Sequence, residues 1–254
     1  MEFSSKTYAF LIFLVFYFFS SCSCFSVKSF NHSLKYRFSP AVATWYGDPH
    51  GSGSGGAYGF GDDVAKHPYN SMISAGNQAL YQHGEFCSGS TIRVTITDEC
   101  PGTCNDDPVH FDFSGFAFGS MAMPGQDDQL RNLGRIDVAY RRVPCNYGKT
   151  TIVFKVDEGS NKNWFAFAME NLNGEGNFAS VEIQPWGTDE WFAMQQLWGA
   201  TYKYDVPEGV NPPFSVRITQ IESKQQVVAQ NVIPEDWSPG EHYPSLVNFR
   251  AILY

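Results

Sequence analysis

Residues Thr91 to Thr97 read Thr-Ile-Arg-Val-Thr-Ile-Thr, a period-two alternation that runs straight into a cysteine-closed loop flanked by two aspartates. That alternation is what a strand buried on one face requires, so Ile92, Val94 and Ile96 share a face that Asp98 continues at the strand's end. A carboxylate at that place belongs at the rim of a sheet or barrel. The stretch from Thr97 to Gly119, TDECPGTCNDDPVHFDFSGFAFG, then brings Asp112 in on the far side of the loop. Paired rim carboxylates suit an inverting glycosidase, one as acid and one to activate water. Aspartates that only cap turns are the alternative at both positions.

The same short-strand grammar continues to the end. Ile152–Val156, Phe165–Glu170, Ser180–Gln184, Thr201–Tyr204, Phe214–Thr219, Val227–Asn231 and Leu246–Ala251 read as strands, with Phe214, Val216 and Ile218 alternating against polar neighbours. Turns such as Asn173-Gly174-Glu175-Gly176 and Pro207-Glu208-Gly209 separate them, as in an antiparallel sandwich. Helix signals are confined to Gly115–Met121 and Asp127–Asn132. The expected organisation is all-β in two units, residues 41–147 and 150–254, joined near Asn146–Lys149 by a link too short for free swinging.

Ahead of both lies an apolar run, Tyr8 to Phe19, preceded by Lys6 and followed by Ser20, Ser21 and Ser23. It reads as a secretory signal peptide over residues 1–24, too short for a membrane span. Secretion makes disulfides plausible for the cysteines that remain. Asn31-His32-Ser33 is a glycosylation sequon. A net charge of −9 argues against nucleic acid and against anionic wall polymers as the main ligand. Six Trp, thirteen Tyr and twenty-two Phe suit a protein that grips neutral glycan with flat aromatic faces. No nucleotide or flavin motif occurs. His110 has no partner at metal-ligand spacing, so neither a cofactor nor a metal is expected.

TDECPG, HFDFSGFAFGSMA and RRVPC together resemble the plant expansins, and among them the beta-expansins. Thr44-Trp45-Tyr46-Gly47, Gly55-Gly56-Ala57, Leu130 to Gly134, Asn161 to Phe165, Leu197 to Ala200 and Val232-Ile233-Pro234 with Trp237 extend the likeness from Ala43 to about Phe249. The resemblance implies a double-psi β-barrel followed by an immunoglobulin-like β-sandwich. It implies a groove lined by Thr44, Tyr46, Asp98, His110 and Asp112, with Asp112 matching the general acid of related inverting endoglucanases. His110 would have a structural role, or would hold a sugar hydroxyl or orient Asp112. Trp45, Tyr46, Trp164 and Trp198 match an exposed aromatic line that stacks on polysaccharide, with core packing as the alternative for each Trp. Trp186, Trp191 and Trp237 are assigned to packing. The function implied is loosening of the cell wall without hydrolysis, by a secreted monomer that binds cellulose and matrix glucans or xylans. The competing readings are a polysaccharide-binding protein with an idle barrel, and an endoglucanase.

Several positions depart from the beta-expansin pattern. Ser54 stands where an aspartate usually precedes Gly-Gly-Ala, and Tyr58 stands where a cysteine follows it. Between Phe86 and Cys87 about a dozen residues with further cysteines are missing, the length of one strand and a turn. Of the family's eight barrel cysteines only Cys87, Cys100, Cys104 and Cys145 remain. By resemblance Cys100 and Cys104 are a bonded pair. Cys87 and Cys145 have lost their usual partners, which leaves a bridge to each other or free thiols.

Overall fold

Alternating apolar residues need a closed surface to bury one face of every strand, and the first half of the chain supplies it as a barrel. The structure, a computed structural model, describes residues 38–56, 59–76, 86–88 and 92–250. The signal segment, Asn31 and Tyr58 lie outside the described residues. Strands β1 (Ser39–Tyr46), β2 (Ile73–Gly76), β3 (Phe86–Ser88), β4 (Arg93–Glu99), β5 (His110–Ser114) and β6 (Ile136–Arg141) close in the order β1-β5-β2-β4-β3-β6. The pairs β1–β5 and β2–β4 are parallel, and the other four are antiparallel. Ala43, Ile73, Val94, Ile96, Phe111 and Phe113 are buried in it. The missing stretch has therefore not opened the barrel: three residues of β3 bridge β4 and β6.

Two short helices follow β5. In α1 (Gly115–Gly119) the Ser114 hydroxyl caps the amide of Ala117 at 3.0 Å. In α2 (Asp127–Leu133) the buried Arg131 pairs with Asp127 and Asp128. Both helices occupy the places expected from sequence.

The second half forms two antiparallel sheets. One has the order β10-β9-β13-β14, from β9 (Phe178–Pro185), β10 (Phe192–Ala193), β13 (Phe214–Gln220) and β14 (Gln226–Ile233). The other has the order β11-β12-β8-β7-β15, from β7 (Val153–Val156), β8 (Trp164–Glu170), β11 (Gln195–Trp198), β12 (Thr201–Asp205) and β15 (His242–Pro244). Phe154, Phe165, Phe167, Met169, Ile183, Phe214, Val216 and Ile218 meet between the sheets as one core, each with almost no exposed surface. Each such side chain contributes about 1.5–3 kcal/mol of transfer free energy. The architecture is the double-psi barrel and immunoglobulin-like sandwich that the resemblance implies.

One expected strand is displaced. The segment from Leu246 makes no ladder through residue 250, and the final described strand is β15 instead. Asn248 explains the change. Its amide donates to the carbonyls of Thr150 and Asn171, each at 2.7 Å, and its carbonyl accepts from the amide of Asn173 at 2.9 Å. Side-chain bonds thus tie the segment down while Phe249 enters the core and Leu246 stays exposed.

Barrel and sandwich meet at a polar seam. Asp63, in a 3₁₀ turn of the barrel (Gly61–Ala65), accepts from Lys66 at 2.8 Å and from Lys155 of β7 at 2.9 Å, and pairs with His242 of β15 at 2.9 Å. Lys155 also donates to the Phe60 carbonyl at 3.0 Å, and the Asn171 amide donates to the Tyr69 hydroxyl at 3.2 Å. Burial alone would raise Asp63, but its bonds to Lys66, Lys155 and His242 outweigh that and hold the carboxyl far below the usual range. Glu170, at the end of β8, faces the same cluster with a buried oxygen that has no hydrogen-bond partner. Burial, helped by the negative charge of Asp63, pushes its pKa up to about 7.

Two outcomes follow from this seam. Glu170 stabilises the fold most when protonated, so that contribution is complete below its ordinary value of 4.5 and is lost as pH rises through about 7. A Tm series should show the parent losing up to about 3 kcal/mol more than Glu170→Gln between pH 4.5 and pH 8. Asp63→Ala strands the Lys155 ammonium and should lower Tm by roughly 5 °C, a cost of about 1–3 kcal/mol, in a thermal melt at pH 5.5.

Candidate functional site

The barrel's register brings the groove together at one level. Thr44 of β1 lies opposite Asp112 of β5, Asp112 lies opposite Ala75 of β2, and Ala75 lies opposite Asp98 of β4. Asp98 and Asp112 therefore flank Ala75 two strands apart, with about 9–10 Å between their Cα atoms. Simple alternation along β4 does not decide where Asp98 points. The β2–β4 ladder shifts register between Ser74 and Ala75, so that Ile96 and Thr97 are both buried before the chain reaches Asp98. A bulge of this kind re-aims the next side chain.

Three of the five groove residues share one hydrogen-bonded unit. The Thr44 hydroxyl lies 2.6 Å from Asp112 Oδ1 and 2.8 Å from His110 Nε2. His110 is buried and Asp112 half-buried, and both present to the same face of β5, as their spacing requires. Burial raises the pKa of Asp112. The hydrogen bond from Thr44 and the charge of His110 oppose that rise, and the charge of Asp98 adds to it.

Tyr46 also faces both carboxylates. Its hydroxyl donates to the Gly53 carbonyl at 3.0 Å, and burial, then Asp98, then Asp112 push its pKa far above the ordinary phenol range. The loop it touches is glycine for steric reasons. A Cβ on Gly53, at φ +75°, would stand 2.6 Å from the Tyr46 hydroxyl, and one on Gly56 would stand 2.9 Å from Asp98 Cγ. Position 54 within that loop offers a hydroxyl, 3.2 Å from that of Ser52.

Cys100 and Cys104 are bridged, with Cα atoms 5.8 Å apart, and the Cys100 sulfur lies 3.9 Å from Asp112 Oδ2. Of the two alternatives left open for Cys145, a bridge to Cys87 or a free thiol, the structure has the free thiol, and it is buried. The ladder holds the Cys87 backbone opposite Arg141, while four residues later the backbone of Cys145 pairs with Gly174 of the sandwich. Among the described residues, Asp63, Glu170 and His242 bring three metal-type ligand atoms within 4.8 Å of one another. Lys66 and Lys155 already neutralise the charge there.

The aromatic residues divide less simply than the sequence suggests. Trp45 is half-buried, its indole donating to the Arg131 carbonyl at 3.0 Å. Trp164 and Trp198 lie on the same outer face of the five-stranded sheet. Trp164 stands opposite Asp205 and Trp198 opposite Thr201 on the β12 strand between them, while Tyr202 and Tyr204 point into the core. Trp198 is 39% exposed and Trp164 half-buried. Gly59, three residues beyond Gly56, rests on Ala168 and Thr201 of this face. Groove loop and aromatic face therefore adjoin.

Trp237 packs on Phe165 at 5.0 Å between ring centres, and Trp191 lies under the Arg217 guanidinium at 4.4 Å. Trp186, assigned to packing, is instead 67% exposed, because it follows β9 on the parity of its outward residues. Sequence reasoning also missed Asp107 and Arg135. Asp107 lies 2.8 Å from His110 Nδ1 and is clasped by Arg135 through two bonds of 2.8 and 3.0 Å. Only the run Asn105-Asp106-Asp107 near His110 hinted at them.

Comparison with known proteins agrees with this architecture. Residues 152–234 match the family described as expansin C-terminal domain, and residues 39–140 match the family described as lytic transglycolase. Expansin-B4 of Arabidopsis thaliana is 46% identical over 225 residues, covering 82% of this chain and 86% of that protein. Expansin-B11 of Oryza sativa subsp. japonica is 43% identical over 227 residues, covering 82% and 77%. The crystal structure of an expansin from Clavibacter michiganensis, 22% identical, superposes with a TM-score of 0.61 over 85% of this chain and 100% of that one. A variant of the same bacterial protein, solved in complex with cellohexaose, gives 0.62 over the same shares. This chain therefore belongs to the expansin family, in its beta-expansin branch.

Proposed function

We propose that this protein is secreted to the plant cell wall, binds cellulose and matrix glucans or xylans there as a monomer, and loosens their contacts without hydrolysis. Trp164 and Trp198 supply stacking surface on the sandwich, and Trp45 and Tyr46 continue it at the groove. Asp112 disrupts the contacts of a chain held there, acting as a proton-bearing carboxyl. The observation that carries the non-hydrolytic reading is the asymmetry of the groove. Asp112 is half-buried with a raised pKa, Asp98 stands two strands away and adds its charge to that rise, and position 54 of the overlying loop offers a hydroxyl where the beta-expansin pattern has an aspartate. Inverting hydrolysis needs an acid and a base together. The complex of the bacterial expansin with cellohexaose supports a β-glucan ligand.

Because burial raises Asp112, its protonated form persists to higher pH than in an ordinary aspartate, and activity should rise as pH falls through that point. Creep of heat-inactivated wall strips under load, with reducing ends counted in the same bath, tests the proposal. Expected are creep at acid pH, no sugar release, and a fall of about tenfold or more with Asp112→Asn, the scale of one strong hydrogen bond lost, about 1.5 kcal/mol. Equal creep by Asp112→Asn and the parent would refute that role, and new reducing ends would restore the endoglucanase reading. Trp198→Ala should weaken cellulose binding by about 1 kcal/mol, roughly fivefold in Kd, in a depletion isotherm.

A further inference from the structure

We propose that Asp107, clasped by Arg135, is a positioning residue that fixes the proton on His110 Nδ1 and so makes His110, Thr44 and Asp112 a unit sharing one mobile proton. The inference rests on the reading of Asp112 given above and adds what controls its protonation. It follows from counting donors along one line of contacts. A carboxylate oxygen of Asp107 faces His110 Nδ1 at 2.8 Å, so that nitrogen must carry hydrogen, because two lone pairs cannot meet at that distance. Arg135 holds Asp107 from the other side and, with the bond to His110, keeps the carboxyl below its ordinary range, so it stays an acceptor.

With Nδ1 protonated, two arrangements satisfy every remaining contact. In one, Asp112 is a carboxylic acid that donates to the Thr44 oxygen, and the Thr44 hydroxyl donates to a neutral Nε2. In the other, an imidazolium Nε2–H donates to Thr44, whose hydroxyl donates to the Asp112 carboxylate. Both hold the same number of protons. They interconvert when the N–H bond at Nε2 breaks as an O–H bond forms on Thr44, while the former Thr44 proton passes to Asp112 Oδ1. No co-reactant is needed.

Losing the shared proton is what the geometry resists. The single Thr44 hydrogen would then serve two acceptors, Nε2 and Asp112, and leave one of them unpaired beside a buried His110. Asp107 thus favours retention of a proton on a residue it does not touch. The other groups facing Asp112 are Asp98 on β4, Tyr46 on β1 and the Cys100 sulfur. Asp137 lies near Arg135. None of these is altered in the variants below.

Carboxyl-carbon NMR of the intact, secreted protein reads the Asp112 titration directly, independent of any wall assay. Asp107→Asn removes the charge and frees the ring to change tautomer. It should move the Asp112 midpoint, and the acid limb of wall creep with it, toward lower pH by roughly half a unit or more. Arg135→Gln, at an exposed side chain, leaves the carboxylate on Nδ1 and should not lower the midpoint. An unchanged Asp112 midpoint in a folded Asp107→Asn protein overturns the proposal, even if creep falls equally at all pH values, since that pattern means a structural role. If Asp107→Asn does not fold, a downward shift in Arg135→Gln overturns it instead. Absence of creep in the parent would sink the wall-loosening reading, and the NMR comparison would still decide this one.

Discussion

The pairing of β5 with two neighbours is the constraint on which the rest of the site depends. Its parallel ladder with β1 sets Thr44 against Asp112, and its antiparallel ladder with β2 sets Ala75 against Asp112 on the other side. Side chains alternate along a strand, so a slip of one residue would turn Asp112 away and bring Phe111 or Phe113 to the groove. Burial of those two phenylalanines makes that slip costly. Core packing and groove chemistry are therefore a single choice of register.

Ala75 extends this logic. A small, buried residue stands between Asp98 and Asp112, and at this spacing the charge of Asp98 adds to the rise that burial gives Asp112. Burial, with the charges of Asp98 and Asp112 adding to it, keeps the Tyr46 hydroxyl protonated. Glycines at 53 and 56 let the neighbouring loop come down onto Tyr46 and Asp98. A few residues later the chain reaches the sandwich, where Asp63 gathers its neighbour Lys66 together with the distant Lys155 and His242. The seam gives the aromatic face of the sandwich a fixed relation to the groove.

Much of this was legible beforehand where the signal is local. Short apolar and alternating runs announced β4, β7, β8, β9, β12, β13 and β14, seven of the fifteen described strands, because burial on one face writes itself into every second residue. The HFD triplet placed His110 and Asp112 on one face by the same rule. Local reading failed where a long-range contact decides. Leu246–Ala251 carried strand propensity, yet the Asn248 side chain ties the segment to the backbones of Thr150, Asn171 and Asn173 instead. Trp186 looked like core by residue type, but its parity after β9 turned it outward. The cysteine count left Cys87 and Cys145 open. Cys145 proved to be drawn off to Gly174 of the sandwich.

The amino-acid sequence by itself determined the class of fold, the family and the bridged Cys100–Cys104 loop, since each is carried by spacing within a few residues or by motifs in order. Only the tertiary structure decided that Thr44 links His110 to Asp112, that Asp107 and Arg135 stand behind His110, and that Asp63 holds the barrel to the sandwich. Apart from Asp107 and His110, which are three positions apart, those contacts join residues 28 to 179 positions apart. Hydrogen bonds act over about 3 Å in space, and no local pattern records which distant strands will be brought that close.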